Sequence, residues 1–249
     1  MSGHNKWSTI KHKKAAQDAK RGKAFTQVIK EITVSARAGG GDLDGNPRLR
    51  TAVAAAKAVN MPKDNITKAI LKGTGELPGV TYEEVSYEGY GPSGVAFFVE
   101  TLTDNKNRTL PEIRNLFGKY GGNLGETNSV AWMFEKQGVI FLGSEQVSDE
   151  DRLLEIVLDA GGEELSQEED GWSIVTTPEA HTKVAEALTA AGITPQRSAI
   201  EMVAKTTVPC DAEQARKVLN MFERLEEHED VQNVWANFEI DDAVLEELQ

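Results

Sequence analysis

Apolar residues recur at helical spacing through the first third of the chain and at strand spacing through much of the rest. Phe25, Val28, Ile29, Ile32 and Ala36 stand at i, i+3, i+4, i+7 and i+11, a stripe along one helix face. The helix is expected from Lys11, where Ala15, Ala16 and Ala19 favour it. Gly22 is expected to interrupt it and Gly39-Gly40-Gly41 to stop it. Leu49, Ala52, Val53, Ala56 and Val59 make a second amphipathic helix, with Pro47 in its first turn and Arg48, Arg50 and Lys57 outside. Ile66, Ala69, Ile70 and Leu71 make a third, which Gly73 is expected to end. Three helices joined by short loops form a small bundle.

Beyond Gly73 the grammar changes. Residues 75–79 (GELPG) read as a linker. Val85–Tyr90 and Val95–Thr103 read as strands about the turn Gly91-Pro92-Ser93-Gly94. Asp104–Thr109 is a polar loop entering a helix with Leu110, Ile113, Leu116 and Phe117 on its apolar face. Strands are expected at Ser129–Phe134, Gly138–Leu142, Trp172–Thr176, Ala199–Val208 and Val231–Phe238. Helices are expected at Asp149–Ala160, Pro178–Ala191 and Cys210–Glu227.

The fold class is therefore α+β: an N-terminal three-helix bundle followed by two small sheet-and-helix (ferredoxin-like) domains, the third inserted in the second. The expected boundaries are residues 1–78 for the basic bundle with its N-terminal arm, 79–134 and 206–240 for the second domain, 135–205 for the inserted third, and 241–249 for an acidic tail.

Charge adds a division that the hydrophobic pattern does not show. The 249-residue chain has a formal net charge of −13. Residues 1–72 carry 15 Lys/Arg against 5 Asp/Glu, net +10; residues 73–249 carry 12 against 35, net −23. A basic module on an acidic body points to nucleic acid. The cations crowd into residues 2–23, where Lys6, Lys11, Lys13, Lys14, Lys20, Arg21 and Lys23 face a single acid, Asp18. Lysines along an arm and a helix can follow a phosphate backbone. Trp7 either docks on the body or stacks on a base. Asn5 and Gln17 are the only amides within the arm's reach, so high base specificity is not expected, and structured RNA fits the arm about as well as DNA.

Other chemistry is sparse. The single cysteine, Cys210, excludes an internal disulfide framework and a cysteine zinc cluster and reads as a structural thiol. His181 and His228 fit no metal motif and read as solvated. Gly89, Gly91 and Gly94 resemble a dinucleotide fingerprint, but they join two strands with no helix following. The acidic clusters at 163–170 and 223–230 lack the spacing of a calcium loop and read as solvated faces. Lys106 and Arg108 beside a helix start are a candidate second phosphate contact; capping by Asn107 or Thr109 is the plainer reading. No catalytic residue, metal site, cofactor, small-molecule substrate or membrane contact is expected, and a cytoplasmic location is.

These residues resemble a known family. Gly3-His4, Lys6-Trp7, Ile10-Lys11, Lys13-Lys14, Asp18, Arg21 and Lys23 are similar to the N-terminal signature of the YebC/PmpR family. The likeness continues through residues 103–109 (TDNKNRT), 121–125 (GGNLG), 129–134 (SVAWMF) and 230–240 (DVQNVWANFEI), and so covers residues 2–240 in order. It departs at Asn128, where glycine is expected, and at Trp132, which replaces a usual tyrosine. The resemblance implies three domains, with the third inserted in the second, and no enzyme. Bacterial members are labelled probable DNA-binding transcriptional regulators. Mitochondrial relatives are translational activators of cytochrome oxidase synthesis, and some bacterial members are regarded as ribosome-associated factors that relieve stalling on proline-rich stretches. The expected function is thus a nucleic-acid-binding regulator of gene expression acting on DNA. The alternative is a translation factor that binds ribosomal RNA or the ribosome.

Overall fold

A computed structural model describes residues 17–168, 171–241 and 244. Three helices come first: α1 (Gln17–Gly39), α2 (Pro47–Ala58) and α3 (Lys63–Thr74). Ile32, Ala36, Leu49, Ala52, Val53, Ala56, Ile66 and Ala69 close a core among them, with Phe25, Val28 and Ile29 at its edge. Asn46 shapes the α1–α2 corner. Its side chain accepts the Leu49 N–H (3.0 Å) as the cap of α2 and donates to the carbonyls of Ser35 and Gly40 (both 2.8 Å).

Two glycines behave differently from the sequence expectation. α1 runs through Gly22 without a break; a lone mid-helix glycine costs about 1 kcal/mol, which the packed stripe beyond it outweighs. Gly73 lies inside α3, where a Cβ would collide with the Thr33 carbonyl and stand 2.7 Å from Ala36 Cβ. It allows α1 and α3 to touch. The cap is Gly75, at φ +85°.

The first sheet unit comprises β1 (Glu83–Tyr90), β2 (Ala96–Thr103), α4 (Lys106–Lys119), β3 (Asn123–Leu124) and, much later in the chain, α7 (Ala212–Glu227) and β9 (Val231–Ala236). Its sheet has the order β3-β1-β2-β9, all antiparallel. Alternate residues of β2 explain its two faces. Phe97 and Val99 point to α4 and α7, into a core with Ile113, Phe117, Val218 and Phe222. Phe98 and Ala96 point the other way, towards Phe134, Val130 and Trp235.

Between β3 and α7 lies the inserted unit: β4 (Phe134–Gly143), α5 (Glu150–Ala160), β5 (Gly162–Glu168), β6 (Gly171–Thr176), α6 (His181–Ala190) and β7 (Arg197–Ala204). Its order β5-β6-β4-β7 is the split βαβ arrangement. Ile140, Leu142, Trp172 and Ile174 pack beneath α5 and α6. Met202 and Ala204 also reach the Phe98–Trp235 cluster, so an apolar junction joins the two sheet units. A short parallel pair, β8 (Val208–Pro209) with β10 (Phe238–Glu239), closes the chain's return.

Three local expectations are corrected. Ser129–Phe134 is not a strand: a 3-10 turn at Ala131–Met133 leads into β4. The Glu88 carboxylate takes the N–H groups of Asn128 (2.8 Å), Val130 (2.8 Å) and Ala131 (2.7 Å), donors a strand ladder would need. Strand β5 was not expected, because GEELSQE carries no apolar alternation; it is an edge strand bonded to β6 alone. The strand expected across 199–208 breaks after Ala204, and α6 starts at His181 rather than Pro178.

Candidate nucleic-acid interface

Helix α1 carries a second stripe besides its apolar one. Lys23, Gln27 and Lys30, at i, i+4 and i+7, face the first sheet unit. Lys23 Nζ donates to the His228 carbonyl (2.9 Å) and Gln27 Nε2 to that of Val231 (2.8 Å). Lys30, only 4% exposed, donates to the carbonyls of Leu102 and Glu229 (both 3.2 Å) and to Asp230 Oδ1 (2.8 Å). A helix of the basic bundle is thus fastened to the acidic body across the segment that leads into β9.

Asp230 is the centre of this latch. It is 1% exposed. Its Oδ2 accepts from Arg108 Nη2 (2.7 Å) and Thr109 Oγ1 (2.7 Å), and Thr109 in turn bonds Thr103 Oγ1 (2.7 Å). Burial alone would push the carboxyl pKa up; the bonds from Lys30, Arg108 and Thr109 overcome it and hold the group well below the usual carboxylate range. The hydrogen bond to Asp230 also raises the Arg108 pKa. His228 sits alongside, its Nδ1 accepting the Asp230 N–H (3.2 Å) and its Nε2 3.0 Å from Glu112. A second tie runs from Arg48, on α2, to Glu84 on β1 and to Glu31 on α1.

The sequence-expected residues divide as follows. Lys6, Trp7, Lys11, Lys13 and Lys14 lie outside the described residues. Lys20 and Arg21 fall within α1, and their side chains lie outside the description. Lys23 is at the latch. Lys106 pairs with Glu83, and Arg108 bonds Asp104 (3.0 Å) as well as Asp230. The cap of α4 is Asn105, whose side chain accepts the N–H groups of Asn107 (3.1 Å) and Arg108 (3.2 Å), rather than Asn107 or Thr109. Away from the latch, Arg37, Lys57, Lys63, Lys68 and Lys72 are exposed and form no ion pair among the described residues.

Several polar residues read as solvated are not. Asp230 stands at the end of an acidic run and is buried. His181 is half-buried, 3.0 Å from Ser198 Oγ, with its pKa lowered by burial. His228 is 12% exposed. Cys210 is buried, and burial first, then Asp211, raises its pKa, as suits a structural thiol. The polar stripe on α1 was the only signal for the latch; nothing local marks its acceptors, which lie 72 residues away in the chain at Leu102 and 200 at Asp230.

Comparison with known proteins places this architecture. A model of the N-terminal domain of TACO1/YebC proteins matches residues 5–76, and a model of their second and third domains matches residues 82–238. The chain belongs to the TACO1/YebC family. Among its TACO1/YebC relatives, a probable transcriptional regulatory protein of Acidobacterium capsulatum is 57% identical over 97% of each chain. Another, from Geobacter sulfurreducens, is 54% identical over the full length of both. The crystal structure of a conserved hypothetical protein from Aquifex aeolicus superposes with a TM-score of 0.83 at 46% identity, covering 94% of this chain and 96% of that one. No helix among the described residues is long and apolar enough to cross a membrane. No group of three or more His, Cys, Asp or Glu among them could hold a metal ion.

Proposed function

We propose that this protein is a nucleic-acid-binding regulator of gene expression that grips phosphate with its basic arm and helical bundle. The observation that carries the reading is the separation of charge, net +10 on residues 1–72 against −23 on the remainder. Cations that face the body are bonded to it, while Arg37, Lys57, Lys63, Lys68 and Lys72 stay exposed on the bundle. The acidic body repels a polyanion, which favours phosphate contact through the basic side. Relatives named probable transcriptional regulatory proteins favour a role in transcription, for which DNA is the fitting target and the cytoplasm the fitting compartment. No catalytic step belongs to this reading.

A second reading, binding to ribosomal RNA in translation, is favoured by the arm's composition. Lysines read phosphate and shape, and Asn5 and Gln17 are its only amides. Crosslinking in cells, followed by sequencing of both bound DNA and bound RNA, separates the two. Enrichment at promoters supports the first, and enrichment on ribosomal RNA the second. In vitro, a salt titration against duplex DNA is expected to give a log–log slope of roughly −3 to −4, from half of the arm's cations reaching phosphate. The triple variant K13E/K14E/R21E should flatten it. A slope near zero in the unmodified protein, with no nucleic acid recovered in cells, refutes both readings.

A further inference from the structure

Trp132 is the most exposed large apolar side chain among the described residues, at 64%. The chain buries Trp172 and Trp235 but leaves this indole in water, where its face is open to a stacking ligand. It is also held still. Its Nε1 donates to the Ser129 carbonyl (3.2 Å). The turn beneath it is fixed by the buried Glu88 carboxylate, which accepts the backbone N–H groups of Asn128, Val130 and Ala131. Asn128 takes φ +67° to complete the turn. The Tyr90 ring, 38% exposed, directs its hydroxyl to the same Ser129 carbonyl at 3.5 Å. Two aromatic rings from separate elements therefore converge on one oxygen.

The surroundings indicate what they receive. Asn123, which pairs with Tyr90 across β3 and β1, and Thr127 and Asn128, in the turn that precedes the indole, are exposed, offering amide and hydroxyl groups of the kind that read base edges. Lys205, also exposed, bonds the Met133 carbonyl through its backbone N–H (2.9 Å) and supplies a cation one residue from the indole. The other exposed large aliphatic residues, Leu43, Leu77, Val80, Leu154, Leu158 and Ile200, belong to other elements. The indole thus lacks the apolar surround of a protein–protein hot spot. Rings, amides and one lysine are the parts of a single-strand binding module.

We propose that Trp132 and Tyr90 form a stacking platform for an unpaired nucleobase, read at its edge by Asn123 or Asn128. The proposal rests on the nucleic-acid reading above and supplies the base-reading chemistry that the arm lacks. The test uses the full-length protein and a single-stranded RNA oligonucleotide carrying 5-iodouridine. Photocrosslinked peptides are expected to contain Trp132 or Tyr90. W132A should weaken single-strand binding by about five- to a hundredfold, with duplex binding nearly unchanged, and W132F, which keeps a ring, should restore most of the loss. The indole is in solvent, so neither variant disturbs a core. Crosslinks confined to the basic bundle, with W132A binding as tightly as the unmodified protein, would overturn the platform and leave the nucleic-acid reading standing. Failure of the oligonucleotide to bind while duplex DNA is still bound would likewise overturn the platform alone, and failure to bind either would overturn both. A W132A protein that binds RNA normally but loses a protein partner would assign the surface to protein docking instead.

Discussion

Replacing Asp230 by asparagine tests the latch most directly. The carboxylate oxygens serve two sets of donors: Oδ1 takes Lys30, and Oδ2 takes Arg108 and Thr109. An amide keeps one acceptor and turns a donor towards the other set. Arg108 is 42% exposed and can regain water; Lys30, 4% exposed, cannot. Breaking a buried pair this way costs about 3 to 5 kcal/mol. For a chain of this size that is a fall in Tm of about 6 to 20 °C. The sign with pH follows from the depressed folded-state pKa of Asp230. Its contribution is whole above the unfolded carboxylate value of about 3.9 and is lost as pH falls towards the lower folded value. The gap between wild type and Asp230→Asn should therefore be constant across neutral pH and narrow as the pH falls below about 4. Differential scanning calorimetry at a series of pH values reads both quantities. A neutral-pH loss under about 1 kcal/mol, or a gap unchanged down to the acid limit of folding, would refute the argument that Asp230 neutralises a buried Lys30.

Three further substitutions probe other supports of the fold. Glu88→Gln replaces a carboxylate that receives three backbone N–H bonds with a group bearing its own donors; urea unfolding should show a loss of about 2–3 kcal/mol, and a change within about 0.5 kcal/mol would show that the turn holds itself. The glycines of the bundle should respond with opposite signs. Gly73→Ala forces a methyl against the Thr33 carbonyl and should destabilise by about 1–3 kcal/mol. Gly22→Ala, with nothing within 4 Å of its new Cβ, should stabilise by up to about 1 kcal/mol. Equal effects in thermal melts would discount the close approach of α1 and α3.

The apolar junction between the sheet units and the polar junction at the bundle differ in kind. Phe98, Phe134 and Trp235 fill the first with side chains that have no polar atom to satisfy, save one indole nitrogen. Charges and carbonyls meet at the second, through Lys23, Gln27, Lys30 and Arg48. Such a junction sets orientation through hydrogen-bond geometry more than through buried area. It holds α1, and with it the bundle, in one orientation on the first sheet unit.

The sequence by itself determined whatever depends on near neighbours. Helical period in Phe25–Ala36 and strand period in Val95–Thr103 are local, and both elements form. Charge asymmetry is a sum over residues and needs no coordinates. The break of fold class at Gly73 was legible for the same reason, although the residue's own role was not. Tertiary structure decided the identity of long-range partners. A carboxylate's solvation depends on groups distant in the chain, so Asp230 looked like the end of a solvated acidic run until Lys30, Arg108 and Thr109 converged on it. Glu88 likewise became a scaffold only when the turn from Asn128 to Ala131 folded over it. Trp132 read as one more apolar residue of a strand, because periodicity predicts which positions face a core and not whether a core lies opposite.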